Sequence, residues 1–171
     1  MIIIFCGLSG SGKSAIAKAL AERTGAEIIR NDEIRKKIFP NPTYSEEEKR
    51  IVYIRMFSKA KSLHDSGKNV ILDASFYKKS FRDEARKIGK GFLIFTKCPL
   101  EICMKRTESR NAGNVGESDK RTYTLNKKHG TLPGVSVPFE EPEDADLVLE
   151  TDKLDVDESV EKILKEVKDL L

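Results

Sequence analysis

An apolar run that leads directly into a glycine-rich loop constrains this chain more than any other feature. Residues 2–6 read I-I-I-F-C, which is typical of a buried strand, and residues 7–14 read G-L-S-G-S-G-K-S. The loop matches the pattern G-x-x-x-x-G-K-[ST] at every fixed position. Apolar residues at Ile16 and Leu20 then have helical spacing. The sequence therefore predicts a strand, a phosphate-binding loop and a helix in succession.

The chemistry of such a loop is the binding of a nucleotide triphosphate. Glycines allow the backbone to bring successive N–H groups around phosphate oxygens, and the following helix N-terminus adds partial positive charge. Lys13 would reach the β- and γ-phosphates as a catalytic residue, and the Ser14 hydroxyl would bind Mg²⁺. ATP and Mg²⁺ are thus the expected cofactors. The residues predicted to bind them are Gly7, Ser9, Gly10, Ser11, Gly12, Lys13 and Ser14.

Composition limits the class of protein. The chain has 171 residues, of which 39% are hydrophobic, and no linker or repeat, so residues 1–171 are expected to form a single domain. It has no stretch long and apolar enough for a membrane span. Cys6, Cys98 and Cys103 lack C-x-x-C spacing, which predicts core residues in a reducing cytoplasm. A net charge of +3 is slight for a dedicated nucleic-acid binder.

Strand and helix patterns alternate along the chain. The predicted strands are residues 2–6, 26–30, 70–72, 92–95 and 147–149. The predicted helices are residues 13–23, 31–39, 45–66, 80–88, 99–109 and 156–170. Asn31 is expected to cap the second helix, and Ser45 with Glu48 to form a capping box on the third. Alternation of this kind predicts an α/β P-loop fold of three layers, with five parallel strands in the order 2-3-1-4-5.

Residues 110–139 do not fit this alternation. They are charged, contain Gly113 and Gly116, and lack apolar periodicity. We interpret them as a lid with one short helix near residues 119–128. Closure of a lid excludes water, which otherwise competes as a phosphate acceptor.

Charged side chains at strand ends form the predicted acceptor side, since ligands of such sheets bind at the carboxyl ends of the strands. Asp32 would accept the proton of the acceptor hydroxyl, and Arg35, one turn later, would bind an anionic group of the acceptor. Asp73 ends the third strand, where a carboxylate holds Mg²⁺ directly or through water. Ser75 and Arg82 are expected to line the acceptor pocket.

Arg106 and Arg110 lie four residues apart where the lid begins, and they would neutralise the transferred phosphoryl group. A solvated basic face is the alternative for this pair. A nucleotide-gated switch is the alternative for the whole chain. The guanine-specificity motif of GTPases is incomplete here, because residues 126–129 read N-K-K-H. The length and the lid favour a kinase.

With these residues the chain resembles a known family, the adenylyl-sulfate kinases. The matching residues are 7–14, Asp32, Arg35, 45–55, 98–106, 138–142 and 147–152. The resemblance covers nearly the whole chain and implies the fold, together with transfer from ATP to the ribose 3′-hydroxyl of adenylyl sulfate. The departures lie on the acceptor side. Residues 73–76 replace a segment of Ile-Ser-Pro type, and Leu132 replaces an aromatic residue that stacks on the acceptor's adenine.

A second group of kinases remains open as an alternative. Residues 30–35, read R-N-D-x-x-R, and Asp73 also resemble polynucleotide 5′-hydroxyl kinases, zeta-toxin-like kinases and their small-molecule relatives. The acceptor is therefore a small molecule or nucleotide, or alternatively a nucleic-acid end. The sequence leaves the oligomeric state open, with a homodimer among the alternatives.

Overall fold

A five-stranded parallel sheet forms the centre of the protein. The computed structural model describes residues 1–112 and 130–168, with side chains for residues 1–109 and 130–168. The sheet order is β2-β3-β1-β4-β5, so the predicted order 2-3-1-4-5 is confirmed. The strands are β1 (Ile2–Cys6), β2 (Glu27–Arg30), β3 (Val70–Asp73), β4 (Gly91–Lys97) and β5 (Leu147–Glu150).

Helices cover both faces of the sheet, as the parallel strands require. Within the described residues they are α1 (Lys13–Thr24), α2 (Asn31–Ile38), α3 (Glu46–Asp65), α4 (Lys79–Arg86), α5 (Leu100–Ala112) and α6 (Val156–Val167). Alternate residues of β1 enter opposite cores. Ile2 and Ile4 pack with Met56 of α3, whereas Ile3 and Phe5 pack with α1 and α6. No helix of the described residues is long and apolar enough to cross a membrane.

One predicted helix cap, at Asn31, and one half of the predicted capping box at Ser45 differ from the structure. Asn31 is the first residue of α2, and the extended residue before it, Arg30, is the N-cap without a side-chain hydrogen bond. At α3 the Ser45 hydroxyl accepts from the Glu48 N–H as expected. The Glu48 carboxylate, however, accepts from the N–H groups of Thr43 and Tyr44, at 3.0 and 2.7 Å. The predicted box is therefore replaced by a bond network that holds the preceding loop.

The structure describes only the two ends of the predicted lid, residues 110–112 and 130–139. Helix α5 continues to Ala112, beyond its predicted end. After the gap in the described residues, Leu132 is buried, and the ring of Phe139 stacks on that of Phe95, with centroids 6.1 Å apart. Leu132 and Phe139 thus anchor this segment to the rest of the protein, while Val135 between them is exposed. The short helix predicted at residues 119–128 lies outside the described residues, and the lid itself stays a prediction.

Candidate active site

The glycine-rich loop curls between the end of β1 and the start of α1. Gly10 and Gly12 have φ of 86° and 92°, in the left-handed region that favours glycine. A Cβ atom at Gly10 would collide with the carbonyl oxygen of Cys103. Helix α1 begins at Lys13, directly after the loop. The backbone is therefore already in the shape that surrounds a phosphate group.

Lys13 is the first residue of α1 and is 8% exposed. Its Nζ donates a hydrogen bond to the Leu8 carbonyl oxygen at 2.7 Å. Burial lowers the pKa of Lys13, while the carboxylates of Asp73 and Asp32 favour its charged form. The structure thus brings three predicted site residues from three elements within electrostatic reach of each other.

Asp73 ends β3 and lies beside Phe5 of β1 in the sheet register. It is buried, and its Oδ2 is 3.6 Å from the Arg30 Nε. Ser14, half-buried, occupies the first turn of α1. A hydroxyl in the first turn of α1 and a carboxylate at the end of β3 are oxygen donors of the kind that Mg²⁺ prefers. The residues present therefore fit the predicted metal.

Arg35 is almost completely buried, which is unusual for a charged side chain. Only 4% of its surface is exposed. Its guanidinium lies 4.6 Å from the centroid of the Tyr44 ring, and its Nη1 is 3.7 Å from the Glu48 Oε2. Nε and Nη1 of Arg35 have no hydrogen-bond partner among the described residues. Buried N–H groups normally find a partner, so this arrangement suits an anion from outside the chain.

Two aromatic residues beside the site have a backbone conformation that glycine usually adopts. Tyr44 has φ of 58° and Phe76 has φ of 46°. Such a conformation costs about 1–3 kcal/mol in a non-glycine residue and is concentrated at functional sites. Sequence reasoning missed both, since no local signal distinguishes an aromatic residue held in this region by its surroundings.

Ser75 and Arg82 were both predicted to line the acceptor pocket. The Ser75 carbonyl accepts a hydrogen bond from the Gly7 N–H at 3.1 Å, which joins the loop after β3 to the phosphate loop. Arg82 is 2% exposed, and its Nη1 donates to the carbonyl oxygens of Phe76 and Glu140, at 2.8 Å each. These contacts position the backbone around Phe76. Direct contact of either residue with an acceptor stays a prediction.

Of the two arginines predicted to belong to the lid, the structure describes the side-chain contacts of Arg106. Arg106 donates from Nη2 to the Thr151 carbonyl oxygen at 2.7 Å, and its Nη1 is 3.6 Å from the Cys98 Sγ. Its guanidinium is thus engaged at the end of β5, and a role in phosphoryl transfer stays a prediction. The side chain of Arg110 lies outside the described residues.

A cluster of charges at the start of α3 was missed by the sequence analysis. The Glu46 carboxylate accepts from the Tyr77 hydroxyl at 2.9 Å, from Lys78 and from Lys49 at 3.2 Å. Burial alone would raise the pKa of Glu46, but these hydrogen bonds lower it to about 2. Lys49 also donates to the Thr131 carbonyl oxygen at 2.9 Å. The cluster joins α3 to the loop before α4 and to the segment that follows the undescribed residues.

Known proteins resemble this chain in both sequence and structure. A family model described as AAA domain matches residues 2–130. A probable adenylyl-sulfate kinase of Halalkalibacterium halodurans is 33% identical over 95% of this chain and 80% of its own length. An adenylyl-sulfate kinase of Bacteroides thetaiotaomicron is 36% identical over 98% of this chain and 83% of its own.

A solved structure shows the same fold at lower identity. The Mycobacterium tuberculosis APS kinase CysC, in complex with AMPPNP and APS, superposes with a TM-score of 0.78. The match covers 98% of this chain and 96% of that one, at 23% sequence identity. The P-loop fold with helices on both faces is therefore shared.

Proposed function

Because this chain belongs to the AAA domain family and to the adenylyl-sulfate kinase family, we propose that it transfers the γ-phosphate of ATP to the 3′-hydroxyl of adenylyl sulfate. The membership confirms the family resemblance and the kinase class that were predicted from the sequence. The acceptor and the roles of individual residues belong to the proposal.

The observation that carries the choice of acceptor is the buried guanidinium of Arg35. Two of its nitrogen atoms have no hydrogen-bond partner among the described residues, and it lies one helical turn from Asp32 in α2. A planar fork of N–H donors binds sulfate and phosphate oxygens well. An acceptor with an anionic group near its reacting hydroxyl, as in adenylyl sulfate, would satisfy these donors.

The proposed reaction divides between the two sides of the site. Lys13 and the loop amides hold the phosphates, and the Lys13 ammonium stabilises charge that develops on the β- and γ-phosphates. Asp32 accepts the proton of the attacking hydroxyl, and the oxygen of that hydroxyl forms a bond to the γ-phosphorus. The bond between that phosphorus and the β–γ bridging oxygen breaks, and ADP leaves.

Magnesium fits the donors on the phosphate side. When bound with ATP it would be held by Ser14 and Asp73 and would neutralise phosphate charge. Asp73 already lies near two cations, Lys13 and Arg30. Its carboxylate is an oxygen donor of the kind that Mg²⁺ prefers.

A direct transfer assay tests the proposal. The protein is incubated with ATP, Mg²⁺ and adenylyl sulfate, and the 3′-phosphorylated product is measured, with Lys13→Ala as the inactive control. AMP in place of adenylyl sulfate tests whether the anionic sulfate is needed. Oligonucleotides with a free 5′-hydroxyl test the second group of kinases.

Two results decide between the acceptors. Turnover at micromolar adenylyl sulfate, with none above the Lys13→Ala background on oligonucleotides, supports the proposal. Phosphorylation of an oligonucleotide end, with no product from adenylyl sulfate, overturns it and assigns the chain to a nucleic-acid substrate.

A further inference from the structure

A buried group of hydroxyls lies beneath the phosphate loop at Ser11. The Ser11 Oγ is 2.7 Å from the Thr96 Oγ1, and the Thr151 Oγ1 donates to the Ser11 carbonyl oxygen at 2.8 Å. Thr96 is in β4 and Thr151 directly follows β5. The loop is thus attached through one residue to two strands that come much later in the chain.

The Ser11 side chain lies in the middle of a chain of hydrogen bonds. The Thr96 Oγ1 donates its single proton to the Cys6 carbonyl oxygen at 3.0 Å. When Thr96 donates to this carbonyl oxygen, Ser11 donates the proton of the bond between the two hydroxyls. The Ser11 Oγ in turn accepts from the Lys13 Nζ at 3.5 Å. A relay of donors runs from Lys13 through Ser11 and Thr96 to the end of β1.

The bond from Thr151 determines the orientation of the peptide between Ser11 and Gly12. The described chain has no cis peptide bond, and in a trans peptide the N–H and C=O groups point in opposite directions. Since the Ser11 carbonyl points toward Thr151, the Gly12 N–H points away from it. The backbone N–H groups of such a loop are the ones that bind phosphate oxygens.

Thr151 itself is held in place from two directions. Its N–H donates to the Lys97 carbonyl oxygen at 3.0 Å, and its carbonyl oxygen accepts from Arg106. The residue is 3% exposed, so water does not compete for its hydroxyl. Arg106 is thereby linked to Ser11 of the phosphate loop through Thr151.

We propose that Thr151 is a positioning residue that orients the Gly12 amide through the Ser11 carbonyl and thereby raises the affinity of the loop for a triphosphate. The inference rests on the proposed function only in requiring that the loop binds ATP. It is independent of the acceptor and of the transfer step.

Calorimetric binding of two ligands tests this role without any turnover. ATP and inorganic tripolyphosphate are each titrated, with Mg²⁺, into the wild-type protein and into Thr151→Val. Valine keeps the volume but leaves the buried Ser11 carbonyl without its donor, so we expect both dissociation constants to rise about tenfold. Thr151→Ser restores the hydroxyl and is expected to bind within about twofold of wild type.

Thr24→Val is the matched control. The Thr24 hydroxyl also donates to a backbone carbonyl, that of Leu20 at 2.8 Å, but at the far end of α1. We expect this variant to bind both ligands as the wild type does. If Thr151→Val does not fold, as judged by its melting curve, Thr151→Cys carries the same test with a weaker donor.

Three results would overturn the inference. They are unchanged binding by Thr151→Val, an equal loss in Thr24→Val, and a loss for ATP without a loss for tripolyphosphate. The last result would mean that Thr151 acts on the nucleoside part of the ligand. A wild-type protein that binds ATP but does not phosphorylate adenylyl sulfate would contradict the proposed function and leave this inference intact.

Discussion

The guanidinium of Arg35 lies over the ring of Tyr44, 4.6 Å from its centroid, and Tyr44 has a backbone φ of 58°. The contact combines a cation–π interaction with backbone strain. It holds a buried cation with two nitrogen atoms that lack a hydrogen-bond partner among the described residues. A buried guanidinium and a strained aromatic residue thus lie in direct contact at this site.

Replacing Arg35 by Lys tests the role of that guanidinium. Lysine keeps the charge but loses the planar fork, so we expect the KM for the acceptor to rise about tenfold to a hundredfold, in line with the loss of charge-assisted hydrogen bonds. The KM for ATP should not change. Initial rates at varied acceptor concentration give both values, and Lys36→Ala, the exposed neighbour, is the control. An unchanged acceptor KM would remove Arg35 from the acceptor side.

Asp32→Asn removes the proposed base with little change in volume. We expect kcat to fall about a hundredfold or more, since a positioned base contributes on the order of 10²–10⁴ in rate. ATP binding should remain close to wild type. Single-turnover rates and calorimetric ATP binding separate the two effects. Glu33→Gln, at the exposed neighbouring carboxylate, should keep its activity, and a normal kcat in Asp32→Asn would contradict the role.

Gly134 contacts the phosphate loop from the segment that follows the undescribed residues. It has φ of 80°, and a Cβ atom there would lie 2.5 Å from the Leu8 Cδ2. We expect Gly134→Ala to lower both the free energy of unfolding and the affinity for ATP, measured by chemical denaturation and calorimetry. Gly67 is the control, because it has a similar φ of 83° and a Cβ atom there would meet no atom of the described residues within 4 Å. Gly67→Ala should therefore lower the free energy of unfolding without changing the affinity for ATP.

A double variant separates collision from backbone strain at Gly134. Leu8→Ala removes the side chain that the new Cβ would meet, so Gly134→Ala should lose less ATP affinity in that background than alone. Strictly additive losses would show that the contact with Leu8 does not transmit the effect.

The Glu46 cluster predicts a pH dependence of stability. Hydrogen bonds lower the pKa of Glu46 to about 2, from 4.5. The folded state therefore binds the proton less tightly than the unfolded state, and this stabilisation is present above pH 4.5 and is lost as the pH falls toward 2. We expect Glu46→Gln to be less stable than wild type at pH 7, with the difference shrinking in acid.

Denaturant titrations at a series of pH values measure that difference. Glu47→Gln is the control, because it removes an exposed carboxylate from the same first turn of α3. A gap between wild type and Glu46→Gln that stays constant as the pH falls from 7 through 4.5 toward 2 would show that the hydrogen bonds do not favour the charged carboxylate.

Features written in a few consecutive residues were predictable. The loop of residues 7–14, the apolar strands and the helix spacing each depend on local chemistry and period, and together they also predicted the sheet order. Asp32, Arg35 and Asp73 follow strands, and parallel topology brings such positions to one edge. The family resemblance added the acceptor hypothesis. These features were enough to predict the fold, the phosphate-binding loop and the candidate site residues. They did not require any distance between atoms.

What only the tertiary structure decided concerns the partners of these residues. Glu48 holds the loop before α3 instead of the Ser45 N–H, and Arg35 is buried beside a strained aromatic residue. Thr151 reaches the Ser11 carbonyl across 140 positions of the chain. Such contacts join elements that are adjacent only once the strands have paired in register. The sequence by itself therefore determined which chemistry the chain offers, and packing decided which groups remain available to perform it.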